Sequence, residues 1–201
     1  MKQKHYAIIG LFTPILFWVT YFIMSALRPE YSFMTKAISE LGSVDALNKW
    51  YWNFFGYILP GFLISIYALG LHRAISNGKV SKVTLVSLFL SGLLMALSGI
   101  FSADMDDRQS STSVLHTIGS IGCYLFFLVA AFSYPRVMKT SAYWSDAIKP
   151  TLLFTWLTIL SGSWYFIFPN MPGVGQRIVF FFFFLWIFYT GAKLYKQPAN
   201  K

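Results

Sequence analysis

Five polar residues stand where a largely apolar chain would tolerate them least: Glu40, Asn53, Asp104, His116 and Arg177. Asp104 closes one apolar block and His116 lies one turn into the next, so the short loop between them makes their helices neighbours. A carboxylate beside an imidazole fixes its tautomer and favours its charged form, which is a usable acid–base arrangement. Glu40 offers a second carboxylate, and these three are the candidate catalytic groups. Arg177, in a turn without other charge, suits a pairing with Glu40 or a bidentate grip on a phosphate or carboxylate headgroup. Asn53 joins it as a candidate substrate-binding residue. Ionisable groups at membrane depth are costly, so function is their default reading.

Each of the five also has a plain structural role. Glu40 and Asp104 fit as solvated loop carboxylates, and Asn53 fits as an amide satisfied by backbone. Arg177 fits as a helix anchor snorkelling to the headgroups. His116 fits as a hydrogen bond between helices. A metal site is not specified: His116 with Asp104 and Glu40 gives one nitrogen and several oxygens, poor for zinc. Asp104, Asp106 and Asp107 would suit calcium or magnesium weakly. No Gly-rich phosphate loop, Ser-His-Asp spacing or CxxC occurs, and Ser39, Ser102 and Ser113 are serines without a specifying context. His5 and His72 belong to the opposite face from His116, so a bis-histidine haem does not fit.

The elements that position these residues are six apolar blocks, approximately 7–27, 52–71, 83–103, 114–134, 150–168 and 178–197. A bilayer core about 30 Å thick takes roughly 20 helical residues, so each block reads as a span. The expected fold is therefore all-α: one polytopic six-helix transmembrane bundle occupying 1–201 as a single domain. Charged residues make up 11% of the chain and aromatic residues 20%, far from soluble composition. In the loop before the second span, Ala37, Ile38 and Leu41 recur at helical spacing, and Gly42 sits where a left-handed cap would end the helix. A short helix over about 33–41 is expected there. Gly56, Pro60 and Gly61 permit a kink in the second span. Ser87, Ser91, Ser98 and Ser102 give the third a small-residue face.

The net charge of +9 is a topology signal. With a cytoplasmic N-terminus, the inner segments hold Lys2, Lys4, Arg73, Lys79, Lys82, Arg136, Lys139, Lys149, Lys193, Lys196 and Lys201, against Asp146 alone. The outer segments hold Arg28, Lys36, Lys49, Arg108 and Arg177 with all six remaining acids. The positive-inside rule then places both termini in the cytoplasm of a multi-pass cell-membrane protein, with all five candidate residues at the outer end. Nucleic-acid binding is not the reading of this charge. Membrane lipids are the expected partners, with an anionic headgroup near Arg177, and self-association stays open.

Ile38-Ser39-Glu40-Leu41-Gly42, Asn53 with Gly56, Gly99-Ile100-Phe101 followed by Asp104, His116, and Gln176-Arg177 occur in an order that resembles the DUF998 membrane proteins of bacteria and archaea. The resemblance covers nearly the whole chain. It implies a six-helix integral membrane protein of unassigned activity, with Glu40, Asp104, His116 and Arg177 as marked positions. Ser102-Ala103 stands where the resemblance would place a proline. Three functions stay open. One is a small intramembrane lipid-modifying or hydrolytic enzyme with an outward polar pocket. The others are a non-catalytic membrane or partner-binding module, and a small-solute or proton-coupled transporter. Whether the protein is an enzyme, and with what cofactor, is not readable from the residues.

Overall fold

The computed structural model describes residues 2–75 and 82–198. Those residues are helical and form no strand. Six helices carry the fold: α1, Gln3–Ala26; α2, Lys49–Ile75; α3, Val83–Ile100; α4, Ser111–Met138; α5, Ile148–Gly162; and α6, Pro172–Lys196. All but α5 are long and apolar enough to cross a membrane. The 15 residues of α5 reach only about 22 Å, so five qualifying helices stand where six were expected. Most helices outrun their apolar blocks by a turn. By contrast α5 stops at Gly162 and, after Ser163, resumes as the single turn Trp164–Ile167.

The helices alternate in direction, so one end of the bundle gathers both described terminal segments. There the Gln3 side chain donates to the carbonyls of Leu194 and Gln197, while Gln197 donates to Ala74 O and accepts from Trp144 Nε1. The other end, the loop end, gathers segments 27–48, 101–110 and 163–171.

Seams of small residues hold α2, α3 and α4 close. A methyl added at Gly61 would lie 2.5 Å from Gly92 O, and one at Gly92 would lie 2.5 Å from Gly61 O. Across the seams Ser65 Oγ donates to Phe89 O at 2.9 Å and Ser91 Oγ to Cys123 O at 2.9 Å. Hydroxyls that would be costly in hydrocarbon thus become ties between helices. An aromatic core lies around Phe17, whose ring meets Trp18, Trp52, Phe180 and Phe184. Of the five consecutive phenylalanines, Phe183 and Phe184 are buried and Phe181 faces outward.

Two local features set the loop end. In α2, residues Asn53–Ile58 widen into a π-helical turn just ahead of Pro60. Proline donates no hydrogen bond and crowds the preceding turn, and a π segment relieves that crowding. In the loop before α2, the regular part is one 3-10 helix, Ile38–Gly42, shorter than the helix expected over 33–41. Its Ile38 and Leu41 are fully buried. Gly42 is not left-handed; a side chain there would strike Asn53 Oδ1 at 1.8 Å, so close approach is what demands glycine.

Candidate functional site

The five candidate residues all lie at the loop end, linked through a belt of hydrogen bonds to backbone. His116, in the second turn of α4 and buried, turns Nδ1 toward Ser98 O at 2.8 Å and Phe101 O at 3.0 Å. Two carbonyls can only accept, so Nδ1 carries the proton and the neutral ring keeps Nε2 as an acceptor. These carbonyls belong to the end of α3, where helical partners run out, so the imidazole caps that helix. Ser98 Oγ returns a bond to His116 O and pairs with Ser120 Oγ at 3.1 Å.

Asp104 is not the partner of that imidazole. Its Oδ1 accepts the N–H groups of Asp106 and Asp107, each at 3.0 Å, and so closes its own loop as an Asx-type turn. Its backbone is fastened to α4 by Ser113 Oγ, which accepts from Asp104 N at 2.7 Å and donates to Asp104 O at 3.1 Å. Among the described residues no hydrogen bond joins Asp104 to His116: Oδ1 is taken by the Asp104 loop and Nδ1 by the end of α3.

Glu40 and Arg177 flank one segment without touching each other. Glu40 Oε1 accepts Ala37 N–H at 2.8 Å, capping the 3-10 helix, and Oε2 pairs with Lys36 Nζ at 3.0 Å. Arg177, 3% exposed in the second turn of α6, donates Nη1 to Lys36 O at 2.9 Å and Gly173 O at 2.6 Å. Its Nε donates to Tyr21 Oη at 2.6 Å and its Nη2 to Tyr31 Oη at 2.5 Å. The rings of Tyr21, Tyr31 and Phe33 lie within 5.3 Å of the guanidinium carbon, Phe33 nearest at 4.6 Å. The cation is therefore held by oxygen dipoles and ring faces, not by a carboxylate. The expected pairing with Glu40 is therefore not formed, because that carboxylate is held by Ala37 N–H and Lys36. Tyr31 Oη passes a bond on to Ala37 O, and burial pushes this phenol above its ordinary range.

Asn53 is 1% exposed and uses Nδ2 to join two loops, donating to Gly42 O at 3.1 Å and Ser102 Oγ at 2.9 Å. Among the described residues, no group of three or more His, Cys, Asp or Glu side chains is placed to hold a metal ion. Sequence reasoning did not single out Tyr21, Tyr31, Phe33 or Gln176 as site residues. Gln176 was visible only as the neighbour of Arg177. In the structure its Oε1 accepts Ile38 N–H at 2.5 Å, locking α6 to the 3-10 helix.

Beside this belt lies a cleft of about 240 Å³ between α3, α4 and α6, walled on its inner side by Tyr57 of α2. Ser98, Ser120 and Gln176 are its polar edge and Met95, Phe180 and Phe183 its apolar depth. No charged side chain lines it. Ile121 on its rim is half exposed, so the cleft opens sideways from the bundle.

Residues 11–193 match the family described as "Protein of unknown function (DUF998)", and the chain belongs to that family. No curated protein and no solved structure matches it.

Proposed function

We propose that the chain is a six-span protein of the cell membrane, with both termini cytoplasmic, that serves as a non-catalytic module binding a lipid in the α3–α4–α6 cleft. The charge distribution supports the orientation, since the end bearing the termini is the strongly basic one. The sixth crossing is α5, which with the flanking turns Ser145–Ala147 and Trp164–Ile167 runs from one end of the bundle to the other. The observation that carries the binding reading is the cleft itself: apolar within, polar at one edge, uncharged and open at the side of the bundle. Glu40 is engaged by Ala37 N–H and Lys36, Asp104 Oδ1 by its own loop, and Arg177 by backbone and tyrosines, so none of the three is paired with His116 as an acid–base couple.

The test is lipid retention. The full chain is purified into nanodiscs and its bound lipid quantified by native mass spectrometry, beside Val179→Trp, which fills the cleft wall. Loss of bound lipid by about tenfold in Val179→Trp, the equivalent of 1.4 kcal/mol, supports the reading. Equal retention by both proteins refutes it. A cellular lipid profile that changes on gene deletion, and is restored by wild type but not by His116→Ala, would favour the lipid-modifying enzyme instead.

A further inference from the structure

We infer that the ligand of this cleft is an uncharged acylglycerol whose ester carbonyl is received by the Gln176 side-chain amide. The inference rests on the reading of the cleft as a lipid site and names the chemistry of its occupant. A second cavity of about 290 Å³ lies between the end of α5 and the start of α6, and Gln176 and Val179 line both cavities. The two are at different depths. The second cavity is built from Ser161 and Gly162 at the last turn of α5, Trp164 and Tyr165 beyond it, and Pro172 and Gly175 in the first turn of α6. This is helix-end level, where Trp and Tyr belong in a membrane interface. The first cavity reaches one to two turns further along α6, to Phe180 and Phe183.

Gln176 stands at the junction. Its Oε1 is engaged by Ile38 N–H, which fixes the amide orientation. Among the described residues only its Oε1 takes part in a hydrogen bond, so Nε2 is left as donor capacity on a side chain that lines both cavities. An acylglycerol carries its ester carbonyl at just such a junction, between a hydroxyl-bearing head and an acyl chain. An isoprenoid quinone carries its carbonyls on a terminal ring and leaves the second cavity without a headgroup. An anionic phospholipid would bring a phosphate into a space lined by no cation, since neither cavity has a charged side chain and the guanidinium of Arg177 is turned to Tyr21, Tyr31, Lys36 and Gly173.

The test uses the full chain in nanodiscs at pH 8.5 and four probes: dioleoylglycerol, its dialkyl ether analogue without ester carbonyls, a menaquinone and phosphatidylglycerol. Dioleoylglycerol is expected to bind up to roughly tenfold more tightly than the ether analogue, the worth of one added hydrogen bond within the cleft. It should exceed the quinone and the phospholipid by at least the same factor. Gln176→Glu keeps an acceptor for Ile38 N–H but withdraws the donor, and should erase the preference for the ester over the ether. Equal binding of ester and ether by the wild-type protein, or a preference for quinone or phosphatidylglycerol, overturns the inference whatever the variant does. If Val179→Trp abolishes lipid binding while ester and ether bind alike, the cleft stands and only the acylglycerol assignment falls. If Val179→Trp binds as wild type does, the cleft reading falls first.

Discussion

Replacing Arg177 by Met should release the loop between α1 and α2 while leaving the helices assembled. The guanidinium reaches that loop through Lys36 O and Tyr31 Oη, reaches α1 through Tyr21 Oη, and is itself carried by α6. A hydrogen bond from a charged donor contributes about 1.5–3 kcal/mol, so the loop-directed bonds and the Tyr21 bond are worth several kcal/mol in gross terms. Against this stands the desolvation of a cation at 3% exposure, also several kcal/mol. Met fills similar volume and removes the desolvation cost, but it leaves Lys36 O and the buried Tyr21 hydroxyl without their partner, while Tyr31 Oη keeps its bond to Ala37 O. Leaving a buried neutral polar group without its partner costs about 1–3 kcal/mol, so the two together cost about 2–6 kcal/mol.

The assay is hydrogen exchange of the amides of Ile38 to Leu41, compared with those of α3. A local cost of about 2–6 kcal/mol should raise exchange in the loop by about thirtyfold or more, with α3 unchanged. Arg177→Lys should fall between, because one ammonium cannot span four acceptors that a planar fork reaches together. Unchanged protection at Ile38 and Leu41 in Arg177→Met would refute the clamp. So would a uniform rise over every helix, which would make the residue a requirement of the whole bundle.

Three further outcomes follow from the same geometry. Burial raises the Tyr31 phenol above its ordinary value of 10.0, so its neutral form is favoured in the folded loop; its contribution is complete below about pH 10 and lost as pH rises through the raised value. Loop protection followed by exchange-resistant fluorescence or proteolysis should decline only in that alkaline range, and Tyr31→Phe should flatten the dependence; a decline between pH 6 and 8 would contradict it. Glu40→Gln, which keeps an acceptor for Ala37 N–H, should leave loop protection and lipid retention near wild type, whereas Glu40→Ala should cost about 1 kcal/mol as a lost cap; loss of function in Glu40→Gln would reinstate a chemical role for the carboxylate. In a chain whose buried Cys123 is first changed to Ser, a cysteine at the exposed Asp106 should label from outside intact cells and one at the exposed Thr140 should not; the opposite pattern would invert the topology.

The long apolar blocks were legible because a membrane helix writes itself locally, as some twenty residues in succession. The end of α5 was not: apolar residues continue to Phe168, but the helix breaks at Ser161-Gly162-Ser163, where Ser163 N turns back to Leu160 O. The candidate residues were legible by type, since each is a polar group in apolar surroundings. Their partners were not. Arg177 finds Tyr31 146 positions away and Tyr21 156 away, and no spacing in the sequence announces either. Adjacency in the chain also misled. Asp104 and His116 are neighbours through a short loop, yet the carboxylate turned to amides two and three residues ahead and the imidazole to carbonyls of the preceding helix.

That outcome has a general physical cause. Where a helix ends within a packed bundle, it leaves backbone groups without helical partners, and nearby side chains are what satisfy them. A bundle with short loops has many such ends and few side chains to serve them. His116 serves the end of α3, Glu40 the start of the 3-10 helix, Asp104 the loop after α3, and Asn53 the carbonyl of Gly42. The residues that look most chemical by type thus spend much of their capacity on backbone, although His116 keeps Nε2 as an acceptor. What a ligand can use is what remains after the backbone is satisfied, and at the loop end that remainder includes the Gln176 amide facing two uncharged cavities. A search for function in such a protein should therefore begin from unspent hydrogen-bonding capacity beside open volume, and only then from residue type.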